Sequence, residues 1–231
     1  MNKEFTALLE VSKKKANKWL DSDIDQKSKN EIIQLLNKKN QQLLLECFYK
    51  NLEFGTGGMR GIIGIGSNRV NKYTIGFATQ GLSNYLNKKF QSNISVAIAY
   101  DSRKFSKEFA QWSAEVFSAN KIKVYLFSEL RPTPELSFAI RKLKCNCGIV
   151  ITASHNPKEY NGYKVYWKDG GQITNPHDKL ILNEINKLND INQININKNN
   201  KNISLLNDKI DKEYINKIKS LSLYNNSNSN L

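Results

Sequence analysis

Three short apolar runs, separated by stretches with helical spacing, constrain the fold of this chain most strongly. The runs are rich in β-branched residues and cover Ile94 to Tyr100, Lys121 to Phe127 and Gly148 to Thr152. The stretches between them carry apolar residues three and four positions apart, which is typical of amphipathic helices. Strands that alternate with helices predict an α/β fold with a mixed, largely parallel sheet covered by helices.

Polar residues follow each of these runs. Asp101 comes directly after the first, Arg131 follows the second, and Ser154 follows the third in the segment Thr152-Ala153-Ser154-His155-Asn156-Pro157. Ligands of open α/β sheets bind beyond the carboxyl ends of the strands. We therefore expect Asp101, Arg131 and Ser154 to lie at one functional edge of the sheet.

A fourth run, Tyr163 to Trp167, comes after an Asn161-Gly162 turn signal. The segment from Thr152 to Pro157 is called the serine loop. If the fourth run pairs antiparallel beside the strand that precedes Ser154, Lys164 comes close to this loop. Its amine could then reach an anion on Ser154.

The chain divides into three segments by pattern. Residues 1–50 predict an N-terminal helical arm, residues 51–190 the α/β domain, and residues 191–231 an Asn/Lys-rich linker or tail. Within the last segment we expect at most a short helix near Asp211 to Ser220.

The acidic segment Asp21-Ser22-Asp23-Ile24-Asp25 has two explanations. Alternating carboxylates can bind a hard cation, and the same residues cap helix N-termini. A helical pattern follows at once and the segment has no glycine for a tight turn, so capping is favoured.

Four glycines lie within the seven residues from Gly55 to Gly61, next to Arg60. Glycine permits positive φ and exposes backbone N–H groups, and arginine suits bidentate phosphate contact. The spacing matches no nucleotide-binding motif. An anion-binding loop and an ordinary glycine turn remain equally good explanations.

The serine loop does not have the pattern of a hydrolase. No G-x-S-x-G elbow surrounds Ser154, and adjacent Ser154 and His155 side chains point apart in extended backbone, so a catalytic triad is disfavoured. Two alternatives stay open, a serine that carries a phosphoryl group and a plain β-turn.

The charge and composition argue against nucleic-acid binding, membrane insertion and secretion. The net charge is +14, but the lysines are scattered along the chain and no arginine–aromatic stripe occurs, so we expect no nucleic-acid partner. No apolar run is long enough for a membrane span, and the N-terminal residues lack a signal-peptide pattern. Three cysteines without a metal-binding spacing predict a reduced, cytoplasmic location.

Several motifs together resemble one family, the α-D-phosphohexomutases, and in particular its phosphoglucomutase/phosphomannomutase branch. They are TASHNP followed by NGYK, the upstream FGTGGMRG, and YDSR, RPTPELSFAIR and KDGGQI in the matching order. The resemblance covers about residues 15 to 190, and the serine hexapeptide is its most specific part.

The resemblance implies that residues 51–190 are the first domain of such an enzyme and that Ser154 is a phosphoserine. It would convert a hexose 1-phosphate to a hexose 6-phosphate by way of a bisphosphorylated sugar. Arg60, His155 and Lys164 match catalytic positions, and Thr56 and Asn156 match positions that bind substrate or shape the loop. Ser154 would also bind Mg²⁺ through its phosphate, and hexose 1,6-bisphosphate would be the activator and intermediate.

The sequence departs from the family pattern beyond this first domain. The D-G-D-x-D-R metal loop, the sugar-recognition loop and the terminal phosphate-binding loop are absent. We therefore expect an incomplete Mg²⁺ site and negligible turnover by this chain alone. It would be either an N-terminal fragment or the non-catalytic half of a split enzyme that needs a separate partner chain.

Overall fold

The computed structural model describes residues 3–55, 57–196 and 200–223. The helices are α1 Lys3–Leu20, α2 Gln26–Leu36, α3 Gln41–Phe48, α4 Lys72–Lys89, α5 Ser106–Ala119, α6 Thr133–Lys142, α7 His177–Asn186 and α8 Asp208–Ser220. The strands are β1 Phe54–Gly55, β2 Gly58–Ile62, β3 Ser95–Tyr100, β4 Lys123–Phe127, β5 Cys147–Ile151, β6 Tyr160–Trp167 and β7 Ile203–Leu206.

The strands form one mixed sheet in the order β1-β2-β6-β5-β3-β4-β7. Strands β5, β3, β4 and β7 run parallel, whereas β6, β2 and β1 continue the sheet by antiparallel pairing. This arrangement confirms the predicted α/β fold with a mixed, largely parallel sheet.

Helices cover both faces of the sheet. Successive side chains of β3 point to opposite faces of the sheet. Val96 and Ile98 belong to a core shared with α4, α5 and α7. Ala97 and Ala99 belong to a core on the other face, shared with α6 and α8. All six residues of β3 are buried, as expected for a central strand with helices on each side.

The N-terminal helical arm is present as α1, α2 and α3. Its apolar side chains form a third cluster that includes Trp19 and Phe48 and closes against Tyr73 and Val116 of the α/β layer. Asp25 caps α2, since its Oδ1 accepts a hydrogen bond from Ser28 N at 2.9 Å. The acidic segment therefore includes a helix cap, as favoured from the sequence.

The carboxylate of Asp25 also joins the arm to α4. Burial alone would raise its pKa, but hydrogen bonds from Lys72, Ser28 and Tyr73 hold the pKa well below its usual range. The contact with Tyr73 Oη is 2.7 Å and the ion pair with Lys72 Nζ is 2.8 Å.

The segment after residue 190 differs from the predicted linker or tail. Residues Ile203–Leu206 form β7, which pairs parallel with β4 and adds an edge to the sheet. The following helix α8 occupies the place expected for a short helix, and Ile210 buries its side chain against α6. Four residues of strand in an Asn/Lys-rich background give too short a pattern to distinguish from a tail.

Candidate active site

The carboxyl ends of the central strands meet at one edge, as predicted. The backbone N–H of Asp101 donates to Ile151 O at 3.2 Å, and that of Arg131 donates to Tyr100 O at 3.1 Å. The Arg131 side chain, however, serves a different purpose, because its Nε and Nη2 bind the two oxygens of Asp211 at 3.0 and 2.5 Å. Arg131 thus fastens α8 at the edge of the site.

Ser154 lies exposed on the loop between β5 and β6 in a left-handed backbone conformation, with φ of 57°. A non-glycine residue in this region costs about 1 to 2 kcal/mol, so the surrounding contacts must hold it there. One such contact is the hydrogen bond from Ser154 N to Thr152 Oγ1 at 2.9 Å, and another is that from Asn156 N to Ala153 O at 3.1 Å.

The left-handed turn changes the relation between Ser154 and His155. The extended backbone expected from the sequence would turn the two side chains apart, but Ser154 Oγ lies 3.5 Å from His155 Nδ1. That premise is wrong, and the imidazole is at the limit of hydrogen-bond distance from the hydroxyl.

Arg60 reaches the serine loop from β2. Its Nη1 donates a hydrogen bond of 2.5 Å to Oδ1 of Asn156, and the two residues are 96 positions apart in the chain. Arg60 is exposed, and among the described residues the hydrogen-bond partner found for its guanidinium is Asn156. Arg60 and Asn156 therefore act as one unit.

Lys164 lies where the predicted pairing places it. Strand β6 runs antiparallel to β5, with Lys164 opposite Val150 of β5 and Gly58 of β2. Burial of the amine lowers its pKa below the ordinary value, and the positive charge of Arg60 lowers it further, while Asp101 has a weaker opposite effect. Two cations thus stand near each other at the edge that carries Ser154.

Arg103 makes four hydrogen bonds to the serine loop and to the start of β6, and it is not among the site residues predicted from the sequence. Its Nη2 donates to the carbonyl oxygens of Ser154 and Asn156 at 2.6 and 2.7 Å. Its Nη1 donates to those of Pro157 and Tyr160 at 2.9 and 3.1 Å. Two sequence signals point to Arg103: it follows the strand that ends at Tyr100, and it is the last residue of the YDSR motif in the family resemblance.

The carboxylate of Asp101 anchors Arg103. Its Oδ2 lies 3.5 Å from Arg103 Nε, and its Oδ1 accepts hydrogen bonds from Arg103 N and from Ser106 Oγ. Asn161, on β6, donates to Ser106 Oγ and to Lys104 O at 3.0 Å each. The loop after β3 is therefore joined to the serine loop by the side chain of Arg103 and to β6 by the side chain of Asn161.

A solvent-open cleft of about 790 Å³ lies beside Ser154. It lies between the loop after β3, the serine loop and the end of β2. Its lining combines cationic, anionic, neutral polar and apolar groups: Ile62, Ile63, Asp101, Ser102, Arg103, Lys104, Ser154, Asn156, Lys158 and Glu159. Three cationic side chains, from Arg103, Lys104 and Lys158, outnumber the two carboxylates, so the charge of this surface favours a polar ligand with negative charge.

The glycine-rich segment forms the hairpin between β1 and β2. Gly57 and Gly58 have φ of 85° and 146°, and a Cβ on Gly58 would lie 1.9 Å from Tyr163 O. The close approach of the Tyr163 backbone explains why residue 58 is a glycine, and this packing reason needs no bound anion. Thr56, predicted to bind substrate, lies outside the described residues, and an anion-binding role for the segment stays a prediction.

The described residues do not fit a magnesium site on their own. They contain no group of three or more His, Cys, Asp or Glu side chains placed to hold a metal ion. Asp101 is a carboxylate in the cleft, and its oxygens are engaged by Arg103 and Ser106. Magnesium prefers an octahedron of oxygen ligands, to which a phosphate on Ser154 would contribute one.

A family model described as phosphoglucomutase/phosphomannomutase, alpha/beta/alpha domain I, matches residues 51–192. The chain belongs to the phosphoglucomutase/phosphomannomutase family. Human phosphopentomutase is 42% identical over 175 residues, which are 72% of this chain and 29% of that protein. Phosphoglucomutase from Staphylococcus aureus strain MRSA252 is 48% identical over 140 residues, 61% of this chain and 25% of that protein. The chain thus spans less than a third of the length of these curated relatives.

Solved structures of the phosphoglucomutase/phosphomannomutase family share the fold. A Thermus thermophilus protein described as a candidate phosphomannomutase superposes with a TM-score of 0.63 at 26% identity, covering 74% of this chain and 36% of that one. Parafusin, a phosphoglucomutase from Paramecium, gives 0.60 at 20% identity over 75% of this chain and 36% of that one. In the part of the chain that the structure describes, no helix is long and apolar enough to cross a membrane.

Proposed function

We propose that Ser154 is the phosphoryl carrier of a phosphohexomutase reaction. A hydroxyl oxygen of a hexose phosphate would form a bond to the phosphorus on Oγ as the Oγ–P bond breaks. The electron pair of the broken bond would stay on Oγ, and the proton of the sugar hydroxyl would pass to Oγ to regenerate the serine. The bisphosphorylated sugar would then turn and give its other phosphoryl group back to Oγ. The observation that carries this proposal is the exposed, left-handed Ser154 on a loop that Arg60 contacts, with Lys164 on the neighbouring strand.

The neighbouring side chains suit the parts that this transfer needs. Phosphoryl transfer depends mainly on positioning and on stabilising the negative charge of the equatorial oxygens. Arg60 can bind those oxygens with the N–H groups that Asn156 does not use, and Lys164 adds a second cation. His155 Nδ1, 3.5 Å from Ser154 Oγ, is placed to exchange the proton of the serine hydroxyl once the phosphoryl group has left.

The substrates follow from the family and from the cleft. We propose a phosphosugar substrate with a hexose 1,6-bisphosphate intermediate, bound at the polar cleft beside Ser154. We propose Thr56 and Asn156 as substrate-binding residues, the latter through its hold on Arg60. Because three cysteines are free and no membrane-spanning helix occurs in the described residues, we propose a cytoplasmic location.

A Mg²⁺ ion at Ser154 would need ligands beyond those that the described residues supply. The phosphate of Ser154 would be one ligand, and carboxylates from outside the described residues would have to complete the site. A separate chain that carries the remaining segments of the relatives could supply them. We propose such a partner as the alternative in which this chain alone is non-catalytic.

A complementation assay tests the activity. The chain is mixed with glucose 1-phosphate, glucose 1,6-bisphosphate and Mg²⁺, and glucose 6-phosphate is measured by a coupled enzyme. We expect negligible turnover by the chain alone, and turnover when a second polypeptide is added that corresponds to the unmatched remainder of the S. aureus phosphoglucomutase. Ser154→Ala in the mixture should abolish it. Equal turnover with Ser154→Ala would contradict the proposal.

A further inference from the structure

Arg103 differs from the other cations of the edge, because it binds the backbone of the serine loop. Four carbonyl oxygens converge on its two terminal nitrogens at 2.6 to 3.1 Å, and they come from residues 154, 156, 157 and 160. The Arg103 side chain is 15% exposed. A planar guanidinium with several fixed donors is suited to this task, whereas a lysine amine offers a single centre.

These contacts fix the orientation of the peptide plane after Ser154. The bond between Ser154 and His155 is trans, because the cis bond among the described residues is Asn175–Pro176. In a trans peptide the C=O and the following N–H point in opposite directions. Since Ser154 O points to Arg103, the His155 N–H points to the other side of the loop.

That N–H group is available. Among the described residues no acceptor for His155 N is found, and His155 is exposed. It lies one residue from the hydroxyl that would carry the phosphoryl group. Backbone N–H groups in turns with left-handed residues are effective anion donors.

We propose that Arg103 is a positioning residue, which holds the Ser154 and Asn156 carbonyls so that the His155 N–H faces the phosphoryl group on Ser154. The inference rests on the proposed function, since it needs a phosphoryl group at Ser154. Arg103 itself does not touch the transferred group. It holds Ser154 in the left-handed conformation and aims a donor from the backbone.

The test uses Arg103→Lys, which keeps the positive charge and removes the fork. Arg131→Lys is the matched control, because Arg131 lies at the same edge and binds Asp211 instead of the serine loop. Two quantities are measured on the full chain. One, measured in the mixture with the second polypeptide, is the rate at which Ser154 gains a phosphoryl group from glucose 1,6-bisphosphate with Mg²⁺, followed by intact mass. The other, measured without that polypeptide, is the shift of the His155 amide in ¹H–¹⁵N spectra when inorganic phosphate is added.

We expect Arg103→Lys to label roughly 10- to 100-fold more slowly than the parent, as displacement of a reacting group by about 1 Å does. We also expect the phosphate-induced shift of the His155 amide to be lost in Arg103→Lys and kept in Arg131→Lys. Equal rates in the parent and in Arg103→Lys, or equal amide shifts, would overturn the inference.

Two further outcomes keep the tests of the two proposals separate. If the parent chain gains no phosphoryl group in the mixture with the second polypeptide, the proposed function fails, and the amide shift alone decides the role of Arg103. A parent chain whose His155 amide ignores phosphate contradicts that role. If Arg103→Lys does not fold, Asp101→Asn replaces it, since this change removes the charge beside Arg103 Nε and should reduce the amide shift to an intermediate size.

Discussion

The guanidinium of Arg60 donates a 2.5 Å hydrogen bond to the side-chain oxygen of Asn156, and thereby ties β2 to the serine loop across the intervening strand β6. Strand β2 pairs with β6 and has no direct pairing with β5, so this side-chain contact is a link that the sheet itself does not provide. It places a permanent positive charge against a residue two positions after Ser154 on the same loop.

This link predicts the effect of removing Asn156. In Asn156→Ala the Arg60 side chain loses its acceptor and becomes free to adopt other rotamers, so the rate of Ser154 labelling should fall roughly tenfold. The melting temperature should stay close to that of the parent, because both side chains lie near the surface. Asn87→Ala, at an exposed site on α4, is the control and should label normally. Normal labelling in Asn156→Ala would show that the Arg60 contact is dispensable.

A second prediction concerns the charge of Lys164. Burial and the charge of Arg60 hold the pKa of its amine below the ordinary value in the unmodified chain. A dianionic phosphoryl group on Ser154 favours the charged amine, so phosphorylation should raise the pKa of Lys164. The measurement is a pH titration of the Lys164 Cε resonance before and after phosphorylation, with Lys164→Met to assign the signal. An unchanged pKa would place Lys164 out of reach of the phosphate.

A third prediction concerns the pair of carboxylates where α8 docks on α6. Burial raises the pKa of Glu135 to about 7, and the neighbouring Asp211 adds to the rise, while Arg131 opposes it. The pKa of Asp211 is lowered, first by its hydrogen bonds with Arg131, so Glu135 is the member that takes up a proton.

The sign of the pH dependence follows from proton uptake on folding. The stability that Glu135 contributes is fully present below its ordinary pKa of 4.5 and is lost as the pH rises through about 7. In this window the parent chain should lose roughly 2 kcal/mol of unfolding free energy relative to Glu135→Gln, whose amide does not titrate. Urea unfolding of both proteins at pH 5 and pH 7.5 measures this loss. Subtracting the values for Glu135→Gln from those for the parent removes the contribution of the other titrating groups, which the two proteins share. Parallel pH profiles for the two proteins would contradict the assignment.

A fourth prediction distinguishes two glycines of the same hairpin. A Cβ at Gly58 would collide with Tyr163 O at 1.9 Å, in a backbone conformation with φ of 146°. We expect Gly58→Ala to lower the unfolding free energy by about 2 to 4 kcal/mol. A Cβ at Gly55 would meet only Gly58 O at 3.9 Å, so Gly55→Ala should cost less than about 1 kcal/mol. Urea unfolding of both variants tests this, and equal losses would show that the strand contact at Gly58 can relax.

The sequence predicted those features that a short periodic pattern encodes. The strands before Asp101 and Ser154 and the return of Lys164 beside the serine loop follow from alternating or continuous apolar runs, which depend on neighbouring residues alone. The family resemblance added the possible chemistry of Ser154, which spacing had left open between a phosphoryl carrier and a turn.

Other features depend on contacts that no local pattern contains. Arg103 binds carbonyl oxygens more than 50 positions away, and carbonyls are present in every residue, so no residue type signals the contact. The left-handed Ser154 is imposed by its surroundings at a position where glycine would be the usual signal. Strand β7 gains its stability from pairing with β4 and is too short to stand out from an Asn/Lys-rich background.

The most direct test of the central claim is whether Ser154 accepts a phosphoryl group. The full chain and Ser154→Ala are each mixed with the second polypeptide that corresponds to the unmatched remainder of the S. aureus phosphoglucomutase, and are incubated with glucose 1,6-bisphosphate and Mg²⁺. Intact mass and peptide mapping then locate any added group. The account predicts that the parent gains the mass of one phosphoryl group, located on Ser154, and that Ser154→Ala gains none. A parent chain that stays unmodified, or a Ser154→Ala chain that gains the same group, would contradict it.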